Sequence, residues 1–234
     1  MRSLLNLPPK ATPNQQKLVR QSARALARSH LVTAFGHCSL RINEQYMLVC
    51  APKPMGHLDS THDGDVVSID DPLPAHVLGE VRMHQAIYKN RSDVHGICRV
   101  FPPNVLALAA MGLSPKARHG FGSYFYPEVP MWKDPGLIRN EEAAQGVAKT
   151  LGQASAIVVS VNGAVSVADS LEKATVLAWF LEDAARVELA CLSAERQDHV
   201  TFETQEQAAQ RATWVGSIAE RKWQYLTHGD IETI

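Results

Sequence analysis

GEVRMHQAIYKNRSDVHGICRVFPP, residues 79–103, is the stretch from which the rest of the chain can be read. Glu80 opens it, and Met83, Ile87 and Tyr88 then recur at helical spacing, which predicts a helix with one apolar face. Arg91-Ser92-Asp93 reads as a turn, residues 94–100 as a short apolar strand, and Phe101-Pro102-Pro103 as its stop. A carboxylate at a helix start and a cation, Arg99, at a strand end can converge on one pocket. Such ends are where free N–H groups and polar side chains meet.

Upstream, Thr12 with Pro13 predicts a capped helix that ends near Ser29-His30. AFGHCSLRI and YMLVCAP read as two strands joined at Asn43-Glu44-Gln45, a β-hairpin preceded by Gly36, where an unusual backbone angle is tolerated. Residues 53–64 read as loop and DVVSID as a further strand. Downstream, residues 103–111 read as a helix closed by Gly112, and residues 114–135 as an irregular aromatic segment over a pocket. A helix at 141–151 stops at Gly152. SAIVVSVNGAVSVAD gives two strands broken at Asn162-Gly163, a two-residue turn signal. Ser170 starts a long helix through Cys191, and residues 204–225 read as one last helix carrying Trp214 and Trp223. Strands and helices do not alternate strictly, so an α/β chain with a mainly antiparallel or mixed central sheet flanked by helices is expected.

The 234 residues contain no Pro/Gly/Ser-rich linker, low-complexity run or internal repeat, so a single domain over 1–234 is expected. With 45% hydrophobic residues the chain can bury a sizeable core. A net charge of -1 gives no electrostatic argument for a nucleic-acid or membrane partner. Cys38, Cys50, Cys98 and Cys191 are scattered without a C-x-x-C, which fits reduced thiols in a cytoplasmic protein. Residues 1–16 offer only a four-residue apolar window, too short for a signal-peptide core or a membrane span. A soluble, cytoplasmic protein is the expectation.

Glu80, His84 four residues on, Ile87-Tyr88, the Arg91-x-Asp93-Val94 run and a strand ending in proline together resemble the class II aldolase/adducin superfamily. The resemblance is strongest to the branch that includes aromatic-acid decarboxylases. It implies a three-layer αβα fold with a mainly antiparallel or mixed sheet over about residues 12–195, and 196–234 as a C-terminal helical extension. It also implies a homotetramer with active sites between subunits and a small carboxylated molecule as substrate. In that family the strand carries His-x-His and a later turn His-Gly, the three ligands of a catalytic divalent metal. Here those positions are Arg99, Phe101 and Asn162. A cation, an aromatic ring and a neutral amide replace the three imidazoles, and none supplies the imidazole, thiolate or carboxylate that such ions want. No metal and no cofactor are therefore expected, a site rebuilt from other histidines being the alternative.

The same resemblance puts Glu80 at the general acid/base position, although a carboxylate there also serves as a plain helix cap. Leu78-Gly79 stands where sugar-phosphate aldolases carry Ser-Ser, which argues against a sugar-phosphate substrate. Arg99 is read as an anion clamp in place of the metal, with a strand-end ion pair as the alternative. In the GHCS turn at residues 36–39, His37 and Ser39 are substrate-contact candidates, and His37 can donate a proton near neutral pH. Asn162 and Phe101 are further candidate binding residues; Asn162 is equally at home as a plain turn residue. His84 shares a helical face with Glu80, and in the family it mainly supports packing. Tyr126 and Trp223 are candidate aromatic walls, Trp223 or Tyr225 from a neighbouring subunit in the tetramer, though such rings commonly serve a core or interface. His57, His62, His76, His95 and His119 make no metal-spaced motif. These readings favour a metal-independent, decarboxylase-like carbon–carbon lyase acting on an aromatic or enolisable acid. The alternatives are a non-catalytic binding or assembly member, or a metal-free isomerase, dehydratase or cyclase.

Overall fold

The computed structural model describes residues 8–196, 198–199 and 201–232. The expected hairpin forms from β1 (His37–Arg41) and β2 (Tyr46–Val49), with Ser39 opposite Val49, and β3 (Asp65–Ser68) extends it antiparallel. Across β1 lies β4 (Gly96–Val100), then β7 (Ala164–Ala168) and β6 (Ala156–Val159), each antiparallel to its neighbour. The two-residue β5 (Met131–Trp132) runs parallel to β6 at the edge. The order β3-β2-β1-β4-β7-β6-β5 is a mixed, mainly antiparallel sheet, as the non-alternating element order implied.

Helices cover both faces. On one, α1 (Pro13–Arg28), α3 (Pro103–Ala110), α5 (Leu171–Ser193) and α7 (Ile218–Thr227) pack around Leu26, Cys38, Cys98, Leu108, Phe180 and Leu226. On the other, α2 (Arg82–Asn90) and α4 (Glu141–Leu151) pack around Met83, Ile87, Ile97, Val147, Ile157 and Val165. These are the three αβα layers. The start of α1 is held by the Thr12 hydroxyl accepting from the Gln15 amide while the Gln15 side chain accepts from the Thr12 amide, a reciprocal cap of about 1 kcal/mol. Among the described residues no helix is long and apolar enough to cross a membrane.

Three expectations are corrected. The strand after α2 begins at Gly96, while Val94 precedes it as a fully buried core residue. The turn at Asn162-Gly163 is longer than two residues: Ser160–Asn162 make a turn of 3-10 helix, and Gly163 follows at φ 86°. The single last helix is two, α6 (Gln205–Arg211) and α7, because Gly216 and Ser217 adopt left-handed φ of 80° and 57°, which a continuing helix forbids.

Period-two alternation decides which side chains meet. In β4, Cys98 and Val100 enter the α1/α5 core, so Arg99 shares the α2 face with Ile97. In β1, Cys38 and Leu40 likewise point to the α1/α5 core, leaving His37 and Ser39 on the α2 face. His37 is directly opposite Arg99 in the ladder. Two neighbouring strands thus turn polar residues toward one helix.

Candidate active site

Where β4 ends and β1 and β7 begin, a cleft of about 470 Å³ opens. Its walls include Gly36, His37, Lys53, Glu80, Phe101, Arg139 and Asn162. Glu80 sits in a 3-10 turn, Gly79–Val81, just before α2, with 19% of its side chain exposed. Its Oε2 lies 4.0 Å from Nε of Arg99, whose side chain is completely buried. The convergence of helix start and strand end expected from the sequence is present.

Arg99 is held from several sides. Its guanidinium donates to the backbone carbonyls of Val100 at 2.9 Å and Ala164 at 3.4 Å, and to that of Asn162. It lies 4.3 Å above the Phe101 ring, within cation–π range. Burial lowers its pKa to about 10, against the opposing pull of Glu80, so it stays cationic at neutral pH. Gly163 makes this approach feasible. A Cβ there would collide with the Val100 carbonyl and come within 2.8 Å of the guanidinium. Gly36 does the same on the other wall, at φ 125° with Val32, Met55 and the Arg99 carbonyl within 3.0 Å of an added Cβ.

Behind the cleft runs a buried polar chain. His37 Nδ1 is 2.9 Å from His84 Nε2, and His84 Nδ1 is 2.6 Å from Ser39 Oγ. Ser39 Oγ is 3.0 Å from the Tyr88 hydroxyl, which also donates to the Ser39 carbonyl at 3.1 Å. Burial, with the nearby Arg99 charge adding to it, lowers His84 to about 3. His37 is pushed well below its ordinary value by burial, then by His84 and Arg99. Both imidazoles are therefore neutral at pH 7. Three buried polar atoms around the cleft have no hydrogen-bond partner among the described residues: His37 Nε2, Arg99 Nε and Asn162 Nδ2.

The sequence candidates divide accordingly. Glu80, His37, Phe101 and Asn162 line the cleft, and Arg99 backs it. Ser39, read as a substrate contact, is instead fully buried with its hydroxyl committed to His84 and Tyr88. His84 does not pair with Glu80; its ring nitrogens meet His37 and Ser39. Tyr126 is outside this cleft, beside Gln153–Ala156 at the opposite end of β6. Trp223 packs from α7 onto the α1/α5 core and does not line the cleft of its own chain. Lys53, Arg139 and Tyr88 escaped the sequence reading. The first two reach the cleft from irregular segments, and Tyr88 reads as an apolar helix residue.

The residues do not fit the divalent ion that the fold family implies. The guanidinium of Arg99 fills the space among Phe101, Asn162 and Ala164, and Glu80 is the single carboxylate of the cleft among the described residues. A divalent ion there would face a fixed cation with one anionic donor. Among the described residues, no group of three or more His, Cys, Asp or Glu side chains could hold a metal.

Comparison with known proteins agrees with this architecture. The model of the class II aldolase and adducin N-terminal domain matches residues 17–189. A 3,4-dihydroxyphthalate decarboxylase of Arthrobacter keyseri is 26% identical over 200 residues, covering 76% of this chain and 79% of that protein. One of the same name from Rhodococcus jostii (strain RHA1) is 24% identical over 188 residues, covering 73% and 76%. Among solved structures, L-fuculose 1-phosphate aldolase from Glaciozyma antarctica PI12 superposes with a TM-score of 0.74 at 20% identity, covering 95% of this chain and 94% of that one. The L-fuculose-1-phosphate aldolase of Thermus thermophilus gives 0.71 at 22% identity, covering 81% and 100%. From its sheet order, its layers and the match to the family model, the chain belongs to the class II aldolase and adducin family.

Proposed function

We propose that this chain is a metal-independent lyase that removes a carboxyl group from a small aromatic acid. The observation that carries the reading is the Glu80–Arg99 pair, 4.0 Å apart at the cleft and too long for a hydrogen bond, with Arg99 Nε and Asn162 Nδ2 both lacking hydrogen-bond partners among the described residues. Two buried donors without acceptors cost free energy that an anionic ligand recovers. A carboxylate is the ligand that suits a buried guanidinium and an amide N–H₂ together. Lys53 and Arg139 add positive charge at the cleft wall, which suits an acid with a second anionic group. The decarboxylases similar to this chain are named for 3,4-dihydroxyphthalate, an aromatic dicarboxylate with two ring hydroxyls. That likeness and the chemistry of the cleft support the same substrate class.

In this reading the substrate carboxylate lies against Arg99 and Asn162, where a second negative charge beside Glu80 favours the protonated form of Glu80. Glu80 gives that proton, drawn from solvent, to the ring carbon that bears the carboxylate. The carbon–carbon bond then breaks, its electron pair restores the aromatic ring, and CO₂ leaves. Arg99 steadies the negative charge throughout, as a preorganised cation in a dry setting. Tight fixation by three backbone carbonyls means that little reorganisation is needed during the reaction.

The test is direct. Purified protein is given 3,4-dihydroxyphthalate, and CO₂ release and the mass of the aromatic product are followed. Loss of one CO₂ per turnover, reduced at least about a hundredfold in Glu80→Gln, supports the proposal. An unchanged rate in Glu80→Gln, or a product of unchanged mass, refutes it.

A further inference from the structure

The polar chain behind the cleft contains enough contacts to fix where its protons lie. Its last contact has only one solution: a carbonyl oxygen cannot donate, so the Tyr88 hydroxyl gives its single proton to the Ser39 carbonyl. The Ser39–Tyr88 hydroxyl contact of 3.0 Å then needs the Ser39 proton. With that proton spent, the 2.6 Å contact to His84 needs a proton on His84 Nδ1. A neutral His84 protonated at Nδ1 has a bare Nε2, so the 2.9 Å contact to His37 is donated by His37 Nδ1–H. A neutral His37 protonated at Nδ1 has, in turn, a bare Nε2. With both rings neutral, every other arrangement leaves at least one of the four contacts without a proton. Both rings are buried, which favours their neutral forms.

We infer that His37 presents its Nε2 to the cleft as a hydrogen-bond acceptor and is the residue that receives the proton of a ring hydroxyl on the aromatic acid, a specificity role set by the buried chain behind it. This deepens the carboxylate-lyase reading and rests on it for the ligand class. His37 Nε2 is buried and without a partner among the described residues, on a side chain that lines the cleft. Arg99 Nε and Asn162 Nδ2 are donors and call for acceptors, whereas His37 Nε2 calls for a donor. The three atoms together complement a carboxylate plus a hydroxyl, a phenolic acid. A hydroxyl that donates to an imidazole also pushes electron density into its ring, which favours protonation of the ring carbon. His84, Ser39 and Tyr88 are positioning residues: they act only by fixing which nitrogen of His37 is bare.

The experiment has two readouts. In the first, benzoate, the 2-, 3- and 4-hydroxybenzoates and the matching methoxybenzoates are titrated into the whole protein by calorimetry. At least one hydroxy isomer is expected to bind about tenfold or more tightly than benzoate, with its methoxy counterpart, which cannot donate, gaining nothing. His37→Phe should abolish that preference. Tyr88→Phe, which keeps the ring and removes the fixing hydroxyl, should weaken it. The second readout is the ¹⁵N spectrum of the histidines near pH 7, which needs no ligand. It should show His37 protonated at Nδ1 and bare at Nε2, with the two forms mixed in Tyr88→Phe. A protonated Nε2, a methoxy acid that binds as well as its hydroxy partner, or a preference that survives His37→Phe overturns the inference. If the spectrum is as expected but benzoate and its hydroxy forms all fail to bind, the carboxylate reading falls and takes the phenolic ligand with it, while the nitrogen assignment stands.

Discussion

Replacing His84 by Gln should make the protein less sensitive to acid, even though it disturbs a buried contact. In the native chain His84 stays neutral until about pH 3, because burial and Arg99 oppose its charge. In the unfolded chain it takes a proton near 6.5. A folded pKa below the unfolded one contributes stability that is fully present above pH 6.5 and is lost as pH falls toward 3. At pH 4.5, two units below the unfolded value, the loss is about 3 kcal/mol. That is a large part of the 5–15 kcal/mol typical of a folded domain. The assay is the urea unfolding free energy of wild type and His84→Gln at pH 7.5 and pH 4.5. Glutamine does not titrate, so whatever its offset at pH 7.5, the variant should lose about 3 kcal/mol less across the interval. Equal losses in the two proteins would refute the claim that this imidazole is buried and neutral.

Other consequences follow from the same geometry. Arg99→Lys should destabilise the fold by about 3 kcal/mol and abolish turnover, since an ammonium cannot serve three carbonyls and stack on Phe101 together; thermal melts and a rate assay check both. Gly163→Ala should cost about 2 kcal/mol in chemical denaturation, because φ 86° is strained for alanine and its Cβ would press on the Val100 carbonyl. Burial alone would raise Asp230, but bonds from Arg24, the Glu232 amide and Arg28 outweigh it and hold the carboxyl at about 2. Its contribution, about 2 kcal/mol, is present above pH 3.8 and lost as pH falls through 2, so Asp230→Asn should flatten the acid limb of the stability curve there.

Much of the fold is legible in local residue choices. Thr12-Pro13 marks the start of α1, and Gly152 ends α4 at φ 53°. The runs of β-branched and apolar residues find six of the seven strands; the two-residue β5 carries too few residues for any pattern. Glu80 and Arg99 are legible as a pair because one opens a helix and the other closes the adjoining strand. The C-terminal break is less so. Residues 204–225 keep enough helix formers for one helix, and only the backbone angles at Gly216 and Ser217 reveal two.

The rest of the site eludes sequence reasoning for identifiable reasons. Lys53 and Arg139 reach the cleft from loops, where no periodicity reports direction. The polar chain did leave a signal. In β1 the apolar Cys38 and Leu40 alternate with His37 and Ser39, while His84 and Tyr88 stand four apart on α2. Two polar residues on one strand face matched by two on one helix face is the pattern of a buried hydrogen-bonded seam. Read singly, Ser39 passes for a ligand contact and Tyr88 for core. The register of β1 against β4, which sets His37 beside Arg99, depends on long-range pairing that no single stretch encodes.

The most direct measurement is CO₂ release from 3,4-dihydroxyphthalate by protein stripped with a strong chelator and checked by elemental analysis, with Glu80→Gln assayed in parallel. A cleft built around a guanidinium predicts full turnover by the stripped protein, an unchanged melting temperature, and a loss of at least about a hundredfold in the variant. Turnover that vanishes on stripping and returns with one equivalent of zinc or manganese would contradict the account.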